Sequence, residues 1–135
     1  GNRDSFFGQI KTVTCHDDNS KVKEILGTNG KGKVLVINSN LISHAAMIGD
    51  EIAQKAIDNE WNGIFVAGYV RDVELLKEMD LGILALGSTT TKTYKNNKGF
   101  LGEDVIFGGA ILSEDSWLYA DKNGWLVSKE CLEVN

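Results

Sequence analysis

The sequence predicts one α/β domain in which a partly parallel sheet is extended by an antiparallel portion. Two observations carry this. Across the first two-thirds of the chain, helical stripes alternate with short apolar runs, the pattern of βαβ units and parallel pairing. The last third changes to closely spaced strand candidates separated by turn residues, among them Asn123-Gly124, a strong hairpin signal.

Residues 8–15, GQIKTVTC, are rich in Ile, Thr and Val and read as a strand. Asp17-Asp18-Asn19-Ser20 supplies candidate N-caps for a short helix with Val22, Ile25 and Leu26 on one face. Gly27, Gly30 and Gly32 mark the turn into residues 33–38, KVLVIN, whose unbroken apolar core predicts a strand buried on both faces. Residues 39–48 are polar, then apolar, and show no clear period. From Asp50, the positions Ile52, Ala53, Ala56 and Ile57 form a helical stripe, with Glu51, Gln54, Lys55 and Asp58 outside it. Residues 64–67 are the next buried strand. Val73, Leu75, Leu76 and Met79 suggest a short helix, and residues 82–86 a further strand. Residues 88–104 are polar and read as a long surface loop. Residues 105–107, 110–112, 117–120 and 125–128 complete the strands.

Composition narrows the function classes. The 135 residues, 42% apolar and 24% charged, are ordinary for one globular domain. A net charge of −5 without a basic run argues against direct nucleic-acid binding. No apolar run approaches the ~20 residues that span a bilayer and no signal-peptide pattern opens the chain, so a cytoplasmic protein is expected, without membrane contact. Cys15 and Cys131 are too few for a disulfide scaffold. The strand pattern begins abruptly after Phe6-Phe7, from which an N-terminal portion missing from residues 1–135 is expected.

The common catalytic signatures are absent. The chain has no GxSxG elbow and no Walker loop. Gly27-x-x-Gly30-x-Gly32 follows a helix and precedes a strand, the wrong order for a dinucleotide fingerprint. His16 and His44 are isolated, with no i,i+4 partner for a zinc pair. One constellation remains: Asp50 opens a helix, and Arg71-Asp72 follow the next strand. The helix start at Gly49–Ile52 offers backbone N–H groups to an anion, and Gly49 has no Cβ to obstruct it. Arg71 beyond a strand end suits a bidentate clamp on the same carboxylate, and Asp72 suits a hard divalent cation such as Mg²⁺ or Mn²⁺. The plain alternative is that Asp50 and Asp72 cap their helices and Arg71 pairs with either. The residues alone leave both readings open.

The ordered set of motifs resembles the RraA-like proteins, the group of the regulators of ribonuclease E activity and the 4-hydroxy-4-methyl-2-oxoglutarate (HMG) aldolases. The resemblance rests on GQIKTVTC with Asp18-Asn19, on Gly32-Lys-Val-Leu-Val, on Asn59-Glu60-Trp61-Asn62-Gly63, on Gly68-Tyr69-Val70-Arg71-Asp72 and on Leu118-Tyr119-Ala120-Asp121. It spans residues 1–135 as a single RraA-like domain. It implies a swivelling β/β/α (phosphohistidine-domain-like) fold with a mixed parallel and antiparallel sheet, and a ring-shaped homotrimer with active sites at subunit boundaries. The family's Asp-x20-Arg-Asp arrangement falls on Asp50, Arg71 and Asp72. By resemblance, Gly49, Asp50, Glu51, Ile52 and Arg71 surround a pyruvate moiety, and Asp72 holds a divalent metal. Asn38-Ser39-Asn40 replaces the family's usual glycine-rich turn, a departure that bears on substrate preference.

Two functions of different class follow from the resemblance. One is a divalent-metal-dependent class II pyruvate aldolase, cleaving HMG and also decarboxylating oxaloacetate. Arg71 and the helix-start amides would hold the pyruvyl carboxylate, the cation on Asp72 would polarise the carbonyl, and Asp50 would orient a metal-bound water or help move a proton. No lysine lies in the constellation, which disfavours a Schiff base. The other is a non-catalytic regulator that binds and inhibits an endoribonuclease of the ribonuclease E type, its acidic surface meeting a basic region of that partner. The intact Asp50, Arg71 and Asp72 set favours the enzyme.

Overall fold

Five parallel strands form the centre of the molecule. The computed structural model describes residues 3, 5–14, 20–38, 46–70, 79–88, 100–107, 110–114, 116–121 and 124–130. In chain order the elements are β1 (Ser5–Thr14), α1 (Ser20–Leu26), β2 (Lys33–Asn38), β3 (Ala46–Ile48), α2 (Asp50–Asp58), β4 (Gly63–Val70) and β5 (Gly82–Ser88). They continue with β6 (Phe100–Leu101), β7 (Val105–Phe107), β8 (Ala110–Leu112), β9 (Trp117–Asp121) and β10 (Gly124–Ser128).

β1 pairs in parallel with β2, β2 with β4, and β4 with β5. β3 joins β4 beyond the end of β2, at Tyr69 and Val70. On its other side β1 takes two antiparallel neighbours, β9 along Ser5–Gln9 and β6 at Val13 and Thr14. The hairpin partner β10 closes that edge, and β7 pairs with β8 in a separate two-stranded sheet. The result is the expected mixed sheet.

Alternation along the central strands sorts two cores. Leu35, Ile37, Ile64 and Val66 face Val22 and Leu26 of α1 and Ile52, Ala53 and Ala56 of α2. Their neighbours Val34, Val36 and Phe65 point to the opposite face, where Ile10, Val105, Leu112 and Leu118 meet them. Helices, main sheet and small sheet therefore stack as β/β/α, and the strand KVLVIN is buried on both sides because both layers need it.

The amino-terminal ends of the strands are held by aromatic packing against glycine. Phe6 lies across Gly63 and Gly82, where an added Cβ would come within 2.2 Å of its ring. Trp61 lies on Gly30 and donates from Nε1 to the Thr28 carbonyl at 3.0 Å.

Several expectations need correction. The last three residues of the unassigned stretch 39–48 form β3, and β4 runs to Val70, three residues past residue 67. The stretch read as loop from 88 to 104 contains the end of β5 and all of β6, whose Phe100 and Leu101 are recruited by pairing with β1. The hairpin forms as expected, but Asp121 and Gly124 are register partners, so Gly124 (φ 152) begins the strand. The caps at Asp17–Asn19, both cysteines, both histidines and all of the 73–79 helix except Met79 lie outside the described residues.

Candidate functional site

α2 owes its helix to the stripe Ile52, Ala53 and Ala56, all buried in the core beside β2 and β4. Its N-cap is Gly49, extended at φ −126 and ψ −173, whose carbonyl accepts the Ala53 N–H at 2.9 Å. Asp50 is thus the first-turn acid, followed by Glu51, and both favour the positive end of the helix dipole. At the other end the Asn59 side chain donates to the Lys55 carbonyl, and the Trp61 N–H bonds the Ala56 carbonyl across Glu60 at φ 67. Both ends of the helix are fixed.

With no side chain at the N-cap, no side-chain cap occupies the first turn. Gly49 is buried, Asp50 half-buried and Glu51 exposed. Ile52 belongs to the core through its side chain, so only its backbone is free to meet a ligand. Parallel register places this helix start: Ile48, which leads into Gly49, pairs with Val70, which leads into Arg71. Both pass out of the sheet at the carboxyl ends of their strands, where open α/β sheets bind ligands. Arg71 and Asp72 lie outside the described residues.

Asp50 and Glu51 are hard oxygen donors, suited to Mg²⁺ or Mn²⁺ rather than to a soft metal. They repel an anion, so a carboxylate ligand at this helix start needs a cation or Arg71 beside it. Among the described residues no cluster of three or more His, Cys, Asp or Glu could hold a metal. The donor set fits a hard cation only if Asp72 joins it.

A cavity of about 660 Å³ lies elsewhere, between the start of β1 and the β9–β10 hairpin. Phe6, Phe7, Tyr119 and Trp125 wall it, and no predicted site residue lines it. It is at the amino-terminal end of the parallel strands, opposite the start of α2. Nothing in the sequence singled it out, because its aromatic residues are spaced as ordinary strand residues.

The family model described as "RraA-like: Aldolase/RraA" matches residues 1–127. The chain belongs to the RraA-like family. A protein of Vibrio cholerae named "Putative 4-hydroxy-4-methyl-2-oxoglutarate aldolase" is 46% identical over 99% of this chain and 83% of its own length. One of the same name from Alcanivorax borkumensis is 42% identical over 98% of this chain and 82% of its own. Among solved structures, the RNA-processing inhibitor RraA from "Thermus thermophilis" superposes with a TM-score of 0.95 at 33% identity, covering 98% of this chain and 81% of that one. A Geobacillus kaustophilus structure titled as an S-adenosylmethionine:2-dimethylmenaquinone methyltransferase superposes equally well, with a TM-score of 0.95, at 32% identity, covering 98% of this chain and 82% of that one. The RraA-like fold thus carries several named functions, and fold alone does not choose among them.

Proposed function

We propose that the chain is a divalent-metal-dependent pyruvate aldolase that cleaves HMG and decarboxylates oxaloacetate. The observation that supports it is the pairing of Ile48 with Val70, which sets Gly49 and the start of α2 beside the carboxyl end of β4. The RraA-like relatives named as HMG aldolases support the substrate class, a small 2-oxo acid.

Arg71 binds the substrate carboxylate through two parallel hydrogen bonds, and the first-turn N–H groups of α2, at Asp50, Glu51 and Ile52, complete the cradle. Asp72 would hold Mg²⁺ or Mn²⁺ through its carboxylate. When bound, the cation supplies electrophilic polarisation of the 2-oxo group. In aldol cleavage the C3–C4 bond breaks, Asp50 accepts the proton of the C4 hydroxyl, and a proton is returned to C3 of the pyruvyl fragment. Oxaloacetate loses its C4 carboxylate as CO₂ by the same bond cleavage and needs no hydroxyl proton removed. The family resemblance extends the proposal to a cytoplasmic homotrimer with its sites at subunit boundaries, which a solution mass would check.

Turnover of HMG and oxaloacetate with Mg²⁺, abolished by a chelator and restored by added metal, tests this reading. Chelator-insensitive turnover would reject it. A second reading, inhibition of an endoribonuclease, is favoured by the match to the inhibitor structure over nearly the whole chain. It predicts salt-sensitive binding to the nuclease that survives Arg71→Ala. Failure to bind the nuclease at low ionic strength would reject that one.

A further inference from the structure

Leu126 lies at the centre of β10, the strand that ends the main sheet on the β9 side, and is 51% exposed. Its register partner on β9 is Tyr119, whose own partner on β1 is Phe7. Cross-strand partners share a face of the sheet, so these three side chains form one row. In it the Phe7 and Tyr119 rings stack 5.5 Å apart at an interplanar angle of 3°. Neither core takes this row. Trp125 and Val127, on the other face of β10, pack against the core beside the small sheet. The helix-side core contains no residue of β9 or β10 among the described residues, so α1 and α2 leave the row uncovered. Edge strands ordinarily carry a charge, a proline or a bulge that prevents pairing with another chain. β10 reads GWLVS, without charge or proline, and its register with β9 is unbroken from Gly124 to Ser128.

We infer that a second copy of this chain docks on this edge, its β10 running antiparallel to the first about a two-fold axis at Leu126. The occupant follows from the symmetry of the strand itself. β10 has five residues with Leu126 in the middle, so an antiparallel copy sets Leu126 on Leu126, Trp125 on Val127 and Gly124 on Ser128. The Phe7–Tyr119–Leu126 row then runs into its equivalent on one face, while Trp125 and Val127 meet on the other. A register one residue away would set exposed side chains against core-facing ones. The chain carries a net charge of −5, yet the pairing brings no two charges together, because β10 has none. That leaves a basic partner nothing to pair with on this strand. The contact is isologous, each copy offering the same patch. Five residues and one apolar row are small against the roughly 1,200–2,000 Å² of a stable complex, so the association is weak and depends on concentration.

Cross-linking tests the register. In a background with Cys15→Ser and Cys131→Ser, Leu126→Cys should form a disulfide between two copies under mild oxidant, since directly opposed strand positions bring their Cβ atoms within bonding reach. Ile111→Cys, at a position 60% exposed and outside β10, measures the rate of random collision and should stay largely unlinked. No linkage through position 126, or linkage no faster than through position 111, overturns the inference. Sedimentation tests the contact without a cross-link. At roughly 1 mM chain, the wild type should have about twice the mass of Leu126→Lys, in which two like charges would meet on the axis. Equal masses, with a circular dichroism spectrum of the variant that matches the wild type, overturn the inference as well. Only the ratio is read, so the result holds whether the unit that pairs is one chain or the proposed trimer.

Discussion

Ile48 and Val70 are parallel register partners at the carboxyl ends of β3 and β4, each one residue short of a predicted ligand-binding position. That pair sets the α2 N-terminus beside the carboxyl end of β4. Capping of isolated helices explains Asp50 as a first-turn acid, but it does not explain why β3 exists. β3 both seats Ile48 in the core and sets the helix start beside the end of β4.

Metal affinity should fall on Asp72. For Asp72→Ala, calorimetric binding of Mn²⁺ should weaken by more than the roughly 10–100-fold that loss of an outer-shell partner costs. Glu51→Ala, at an exposed position, should weaken it far less. Equal effects of the two substitutions would count against Asp72 as the ligand.

Gly30→Ala should destabilise the fold by about 2–4 kcal/mol, since the new Cβ would sit 2.0 Å from the Trp61 ring and displace its bond to Thr28. Pairing it with Trp61→Phe should give less than the summed cost, measured by denaturant unfolding. Full additivity would show that the two residues do not press on each other.

How much of this was legible in the sequence depends on which residues carry the period. KVLVIN and the Ile52–Ala53–Ala56 stripe announce themselves because burial on two faces, or on one helical face, writes a period into the chain. β3 and β6, at three and two residues, are too short to show one and exist through pairing with β4 and β1. The register shift of β4 against β5 between Val66 and Tyr69 is equally silent, because it is a mismatch between two strands and neither strand encodes it alone. For the site, the helix start could be read from Gly49-Asp50 and the Arg71-Asp72 pair from its place after an apolar run. That the helix start lies beside the end of β4 could not, since it depends on the register of β3.

Thr12 is fully buried on β1, and its Oγ1 finds no partner among the described residues. A buried hydroxyl without a hydrogen bond costs stability that an isosteric methyl does not. Thr12→Val should therefore stabilise the protein by about 1 kcal/mol and raise its melting temperature by about 3–5 °C. A loss of stability would show that the hydroxyl is bonded after all.

The acid limb of stability should include Asp80. Its carboxyl is held below the usual range by hydrogen bonds from the Arg3 guanidinium, at 2.9 and 3.4 Å, and by that group's charge. A carboxylate with a depressed folded-state value contributes stability that is present above the unfolded value, about 3.9, and lost as pH falls through the folded one. Both side chains are exposed, so the contribution is small and salt-sensitive. Titrated by carbon chemical shift, Asp80 should move up toward about 3.9 in Arg3→Ala. An unmoved midpoint would remove the ion pair from the account.

Oxaloacetate decarboxylation by the wild-type chain and by Arg71→Ala, both with saturating Mg²⁺, tests the central claim most directly. The wild type should release CO₂ and pyruvate, and Arg71→Ala should lose about 100-fold or more in kcat/KM while keeping its fold and its Mn²⁺ affinity. Full activity in Arg71→Ala would contradict the proposed carboxylate clamp.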